Sequence, residues 1–126
     1  MYAALQLDAY RTTQKASMTG RDIEAGALTK AALLLEECKN DWDARDRDAR
    51  LSKALKMNQL IWSIFQADLM KEDNPLPIQL RQDILSLSLF IDRRIIDVLA
   101  YPAPEKLDAI ININQNIAAG LRGASH

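Results

Sequence analysis

All four prolines of this chain fall in two short segments, Asn74-Pro75-Leu76-Pro77 and Tyr101-Pro102-Ala103-Pro104, and that placement limits the fold more than any other feature. Proline fixes φ, donates no backbone hydrogen bond and pushes the preceding residue out of the α region. Each pair therefore ends the helix before it, and Pro77 suits the first turn of a new one, where its missing N–H is not needed. Elsewhere chain-breakers are few, with glycine only at 20, 26, 120 and 123. Valine occurs once and no segment sustains a period-two alternation of β-branched residues. The long intervals are therefore helical.

Apolar spacing supplies the faces. Leu51, Leu55, Asn58, Trp62, Phe65 and Leu69 alternate steps of four and three, which keeps one stripe toward one partner. Before it, Ile23, Ala27, Ala31, Leu34, Leu35 and Cys38 predict an earlier helix, with Thr19 as N-cap and Asp22 and Glu24 in the first turn, where they complement the helix dipole. Between the proline pairs, Leu80, Ile84, Leu87, Ile91, Ile95 and Val98 share a face; after them, Leu107, Ile110, Ile111, Asn114, Ile117 and Leu121 do. The expected helices run over about 21–40, 45–72, 78–99 and 105–121, with turns short enough for antiparallel neighbours. The fold class is all-α: a small four-helix bundle over 19–121, preceded by an N-terminal arm at 1–18 and followed by a tail at 122–126. The arm has no helical stripe but carries Tyr2, Leu5, Leu7 and Tyr10, enough to dock without folding alone.

At 126 residues the chain is one domain, able to bury roughly two-thirds of its unfolded surface. Its 16 basic and 17 acidic side chains nearly cancel. Nucleic acid and anionic membranes attract clustered positive charge, and this balance argues against both as general partners. No apolar run has the length of a membrane span and no signal peptide is visible. The lone cysteine, Cys38, cannot form an internal disulfide, which suits a reducing, cytoplasmic setting.

Chemistry-bearing groups are sparse. The sole histidine is the terminal residue, His126, so there is no base to activate a nucleophile and no nitrogen–sulfur metal set. Glu36, Glu37, Asp41 and Asp43 could in principle bind a hard cation, but Lys39, Arg45 and Arg47 interleave with them, as on a solvated turn. The glycines form no phosphate loop, and Cys38, on an apolar face, reads as a small core hydrophobe. The sequence therefore assigns no catalytic residue, cofactor or metal. One cluster, Arg45, Arg47, Arg50, Lys53 and Lys56 with Trp42 nearby, would fit an RNA-binding alternative; Asp41, Asp43, Asp46 and Asp48 lie among these cations and weaken their field.

What the chain has in excess is apolar surface. Ile78, Leu85, Leu89 and Ile96 lie away from the main stripe of the third helix; Met57, Ile61 and Ile64, with Leu60 beside them, do so on the second. Either these helices are central and buried on two sides, or the extra stripes form a groove for an amphipathic partner helix. Asn58 and Asn114, inside apolar stripes, must be hydrogen-bonded, either to local backbone or in a contact that fixes register.

The run Ala54-Leu55-Lys56-Met57-Asn58-Gln59-Leu60-Ile61-Trp62-Ser63-Ile64-Phe65-Gln66-Ala67-Asp68-Leu69 resembles the central motif of the flagellar biosynthesis regulator FlaF family. So do Asn74 to Pro77, Leu80-Arg81, Ile84 to Arg93, and Ile113-Asn114 through Ile117-Ala118-Ala119-Gly120-Leu121, with Tyr10 and Gln14 in the arm. The likeness spans about Tyr10 to Leu121. Leu60 and Gln115 depart from it, standing where basic residues are expected. The resemblance implies a cytoplasmic, non-enzymatic factor in flagellin production and filament assembly. It would act with flagellin, as a secretion chaperone, or with the FlbT-type post-transcriptional repressor of flagellin mRNA. The expected contact residues are Tyr10, Met57, Ile61, Ile64, Ile78, Leu85, Leu89 and Ile96, and a homodimer is a further possibility for the extra stripes.

Overall fold

The computed structural model describes residues 20–124. The expected arm, including Tyr10, and the Thr19 cap lie outside them. Four helices follow in order: α1 Gly20–Asn40, α2 Arg47–Leu69, α3 Ile78–Ala100 and α4 Leu107–Ala124, with one 3₁₀ turn at Pro104–Lys106 before α4. Among the described residues there is no strand. The chain is an all-α four-helix bundle in which α1 touches α2 and α4, and α3 touches α2 and α4.

The helix ends follow the local chemistry. α2 stops at Leu69, with the last member of its stripe and three residues short of the expected end, where Asn74 folds back on it. The Asn74 amide donates to the Asp68 carbonyl at 3.0 Å, and its Oδ1 accepts from the Leu76 N–H at 3.0 Å, an Asx turn ahead of the prolines. Pro77 flanks α3, its carbonyl accepting from Arg81 N at 3.0 Å. At the second proline pair, Pro104 opens the 3₁₀ turn, so α4 proper starts at Leu107 and not at Glu105. It also runs past Gly120 and Gly123 to Ala124, and Arg122 donates to Thr29 Oγ1 at 3.0 Å.

α1 lies most closely along α4. Ala25 and Ala32 of α1 and Ala118 of α4 are fully buried, and small residues let helix axes approach. Lys39 pairs with Asp108 at one end of this antiparallel pair. The α2 stripe is buried as its spacing requires, through Leu51, Leu55, Asn58, Trp62, Phe65 and Leu69. Trp62 and Phe65 meet edge to face, centroids 5.6 Å apart, the arrangement favoured by the ring quadrupoles.

Two stripes sit differently from their sequence reading. On α1 the buried set is Ala25, Leu28, Ala31, Ala32, Leu35 and Cys38, whereas Ile23 is 40% exposed. The helix is wedged between α2 and α4, so alanines on both flanks are covered. On α3 the core face is Ile84, Ser88, Ile91, Ile95 and Val98. Leu80 is on that side by spacing but only one turn into the helix, and it is 43% exposed; Leu87 is half-buried.

The two asparagines form one buried polar chain. Asn58 donates to the Ala54 carbonyl in its own helix at 2.9 Å and to the Ala31 carbonyl of α1 at 3.2 Å. Its Oδ1 accepts from Asn114 of α4 at 2.6 Å, and the Asn114 Oδ1 accepts from Trp62 Nε1 at 2.9 Å. Both alternatives raised by the sequence thus hold for Asn58. Every polar group lost to water here gains a partner, which is the condition for tolerating such a network in a core.

Candidate protein-contact surface

α2 and α3 are joined across their flanks by Gln66 Nε2, which donates to Asp92 Oδ2 at 3.2 Å. Their core faces are already committed to the bundle, yet both carry large apolar side chains outside it. Ile64 is 60% exposed, Ile78 65%, Leu89 57% and Ile96 65%. Leu60, Met70, Leu99 and Tyr101 are also exposed. On the two helices that carry the extra stripes, burial on both sides therefore does not account for these residues; for the others it partly does. Ile61 and Leu85 are half-buried and pack against the core, and Met57 is half-buried. The α2 stripe of Met57, Ile61 and Ile64 lies, by helical spacing, on the Ala54 flank of that helix, next to Asn58, whose amide donates to Ala31 of α1. The α3 stripe lies on the α2 side, in the same row as Asp92. The expected contact residues thus divide between two grooves, and Tyr10 is outside the described residues.

The basic cluster is largely spent on neighbours. Arg47 Nε donates to Asp48 at 2.7 Å, and its guanidinium lies 4.4 Å from the Trp42 ring centroid. Arg50 donates to Asp41 at 2.7 Å with Asp46 at 3.8 Å. The Trp42 face that a base would stack on is therefore covered by a protein cation, and two of the five cations are locally neutralised.

The described residues line two small surface clefts. One, of about 240 Å³, is lined by Trp42, Asp43, Ala44, Arg45, Arg47 and Asp48; the other, of about 170 Å³, by Leu34, Glu37, Cys38, Arg50, Lys53 and Ala54. Both fall below the roughly 300–1,000 Å³ typical of small-molecule sites. Cys38 borders the second as a free, buried thiol. Burial pushes its pKa up, against a smaller opposing pull from the Arg50 charge, so it holds its proton and is a poor nucleophile. Among the described residues no group of three His, Cys, Asp or Glu side chains could hold a metal ion, and no helix is long and apolar enough to cross a membrane.

The sequence anticipated that α3 has a second stripe, but two of its exposed neighbours, Leu99 and Phe90, were not singled out. Leu99 continues the α3 stripe by three residues and was legible from spacing. Phe90, with Arg94 stacked 5.2 Å from its ring, gives no such signal.

No curated protein and no solved structure gives a match to this chain. The family model described as flagellar protein FlaF matches residues 6–121, nearly the whole sequence and all four helices up to Leu121, so the chain belongs to the flagellar protein FlaF family.

Proposed function

We propose that this chain acts by protein contact and not by catalysis, as a cytoplasmic regulator of flagellin synthesis and flagellum assembly. It grips amphipathic helices of flagellin, in the manner of a chaperone, or of an FlbT-type post-transcriptional repressor, on the exposed apolar stripes of α2 and α3. The observation that carries this reading is the exposure of Ile64, Ile78, Leu89 and Ile96 on helices whose core faces are separately filled. Exposed apolar surface of this kind costs solubility unless something covers it, and a groove between helices suits an amphipathic helix.

Calorimetric titration of the purified protein with peptides from flagellin's terminal helices, and with the FlbT-type protein, tests the reading. Binding should carry a negative heat-capacity change from apolar burial and weaken little with added salt. Absence of binding to either would overturn the proposal. Tight, steeply salt-dependent binding to flagellin mRNA in place of protein would also overturn it, since that is the mark of phosphate contacts.

A further inference from the structure

The outer seam of α3 has a symmetry that a partner of another sequence would not need. Ile78, Gln82, Leu85, Leu89, Asp92 and Ile96 follow one another at alternating steps of four and three, the spacing of a coiled-coil seam. The order of apolar and polar positions in this series is the same from either end. A two-fold axis at the level of residue 87 would set Ile78 against the second copy's Ile96 and Leu85 against its Leu89. The same axis sets the two polar members together, Gln82 against the second copy's Asp92. Gln82 is exposed, and the Asp92 carboxylate uses only Oδ2 on Gln66 among the hydrogen bonds of the seam, so an acceptor remains for the Gln82 amide. Arg81 and Arg93 fall on opposite flanks of the seam, so antiparallel pairing forces no like-charge contact between them. Beside the seam, α2 turns Ser63 to the same side as Gln66, and Ala67 follows it; both are small and exposed, leaving room for a second helix next to α3.

We infer that a second copy of this chain covers the seam, pairing α3 with α3 antiparallel about residue 87 in a two-fold homodimer. Such an interface is isologous, each patch meeting itself reversed, and the palindromic order of apolar and polar positions is what that geometry requires. The two symmetry-related polar pairs within the seam fix register, because any shift would leave Gln82 and Asp92 against leucine or isoleucine. The second copy covers Ile78, Leu89 and Ile96, which the proposed function gives to a partner helix, so the two compete for this seam and only one can hold it at a time.

Sedimentation velocity over a wide concentration range, paired with register-specific cross-linking, tests it. In a Cys38→Ser background, Ile78→Cys and Ile96→Cys proteins are oxidised separately and as an equal mixture. The mixture should give a disulfide-linked dimer that either protein alone lacks, because antiparallel pairing leaves each position roughly 27 Å from its own equivalent. Leu89→Glu should shift the wild-type dimer to monomer while the helical circular dichroism is kept. A wild type that is monomeric at every concentration would overturn the inference, as would either cysteine variant linking to itself as readily as to the other. A monomeric wild type that still captures flagellin leaves the proposed function standing; a dimer that captures no partner does the reverse.

Discussion

The side chains that most determine stability are Trp62, Phe65 and the asparagine pair. Phe65 is buried against Trp62, and Phe65→Ala should cost about 3–5 kcal/mol, the range for removing a buried aromatic ring; chemical denaturation would read it as a lower midpoint at unchanged slope. Asn114→Ala removes the acceptor for Trp62 Nε1 and the donor to Asn58 Oδ1. Each orphaned group costs about 1–3 kcal/mol, and adding Asn58→Ala should cost less than the sum of the two single changes, because the first has already broken the shared bond. Cys38 gives a third test. Its thiol pKa is raised by burial, so the native protein should react slowly with an aromatic disulfide and rapidly once unfolded. The sign follows for stability: a folded state that holds the thiol proton more tightly keeps its full stability below the unfolded thiol's range and loses it as pH climbs through the folded value. At this scale α2 was legible because Leu51 to Leu69 repeat strictly. Ser88 was not, since a buried serine that satisfies itself on the Leu85 carbonyl at 2.6 Å looks in sequence like any polar residue.

At the scale of elements, the proline pairs divide the chain as their chemistry requires, and every helix end falls within three residues of its expected position. The α2 end was the least legible: apolar spacing says nothing of an asparagine side chain five residues beyond Leu69 that takes a carbonyl from the helix. The α1 face was misplaced for a related reason. Alanine covers little area, so periodicity cannot tell which alanines a second neighbour buries; the neighbour here is α4, close because Ala25, Ala32 and Ala118 are small. α3 packs on its neighbours less extensively than α1 does, chiefly on α2, and local stability follows such contacts. Hydrogen exchange should therefore show the central amides of α1 and α4 as the slowest and those of α3 as faster. Equal protection across all four helices would contradict that order.

For the molecule as a whole, the described helices form a bundle that leaves apolar side chains exposed on α2 and α3 outside the core. The extra stripe was visible in sequence as leucine and isoleucine off the main face, but whether those residues were interior or exposed depended on how many neighbours α2 and α3 have, which spacing does not encode. Leu85 and Ile61 turned inward; Leu89, Ile96, Ile78 and Ile64 did not. The central claim is that this exposed side is a contact surface and not part of the core, and Leu89→Glu tests it most directly. Circular dichroism melting and binding to flagellin's terminal-helix peptide would be measured on the same preparation. At a position that faces solvent in the single chain, the substitution should change the folding stability of the monomer by only about 0.5 kcal/mol while peptide binding is lost. A variant that fails to fold, or one that folds and binds like the wild type, would contradict the account.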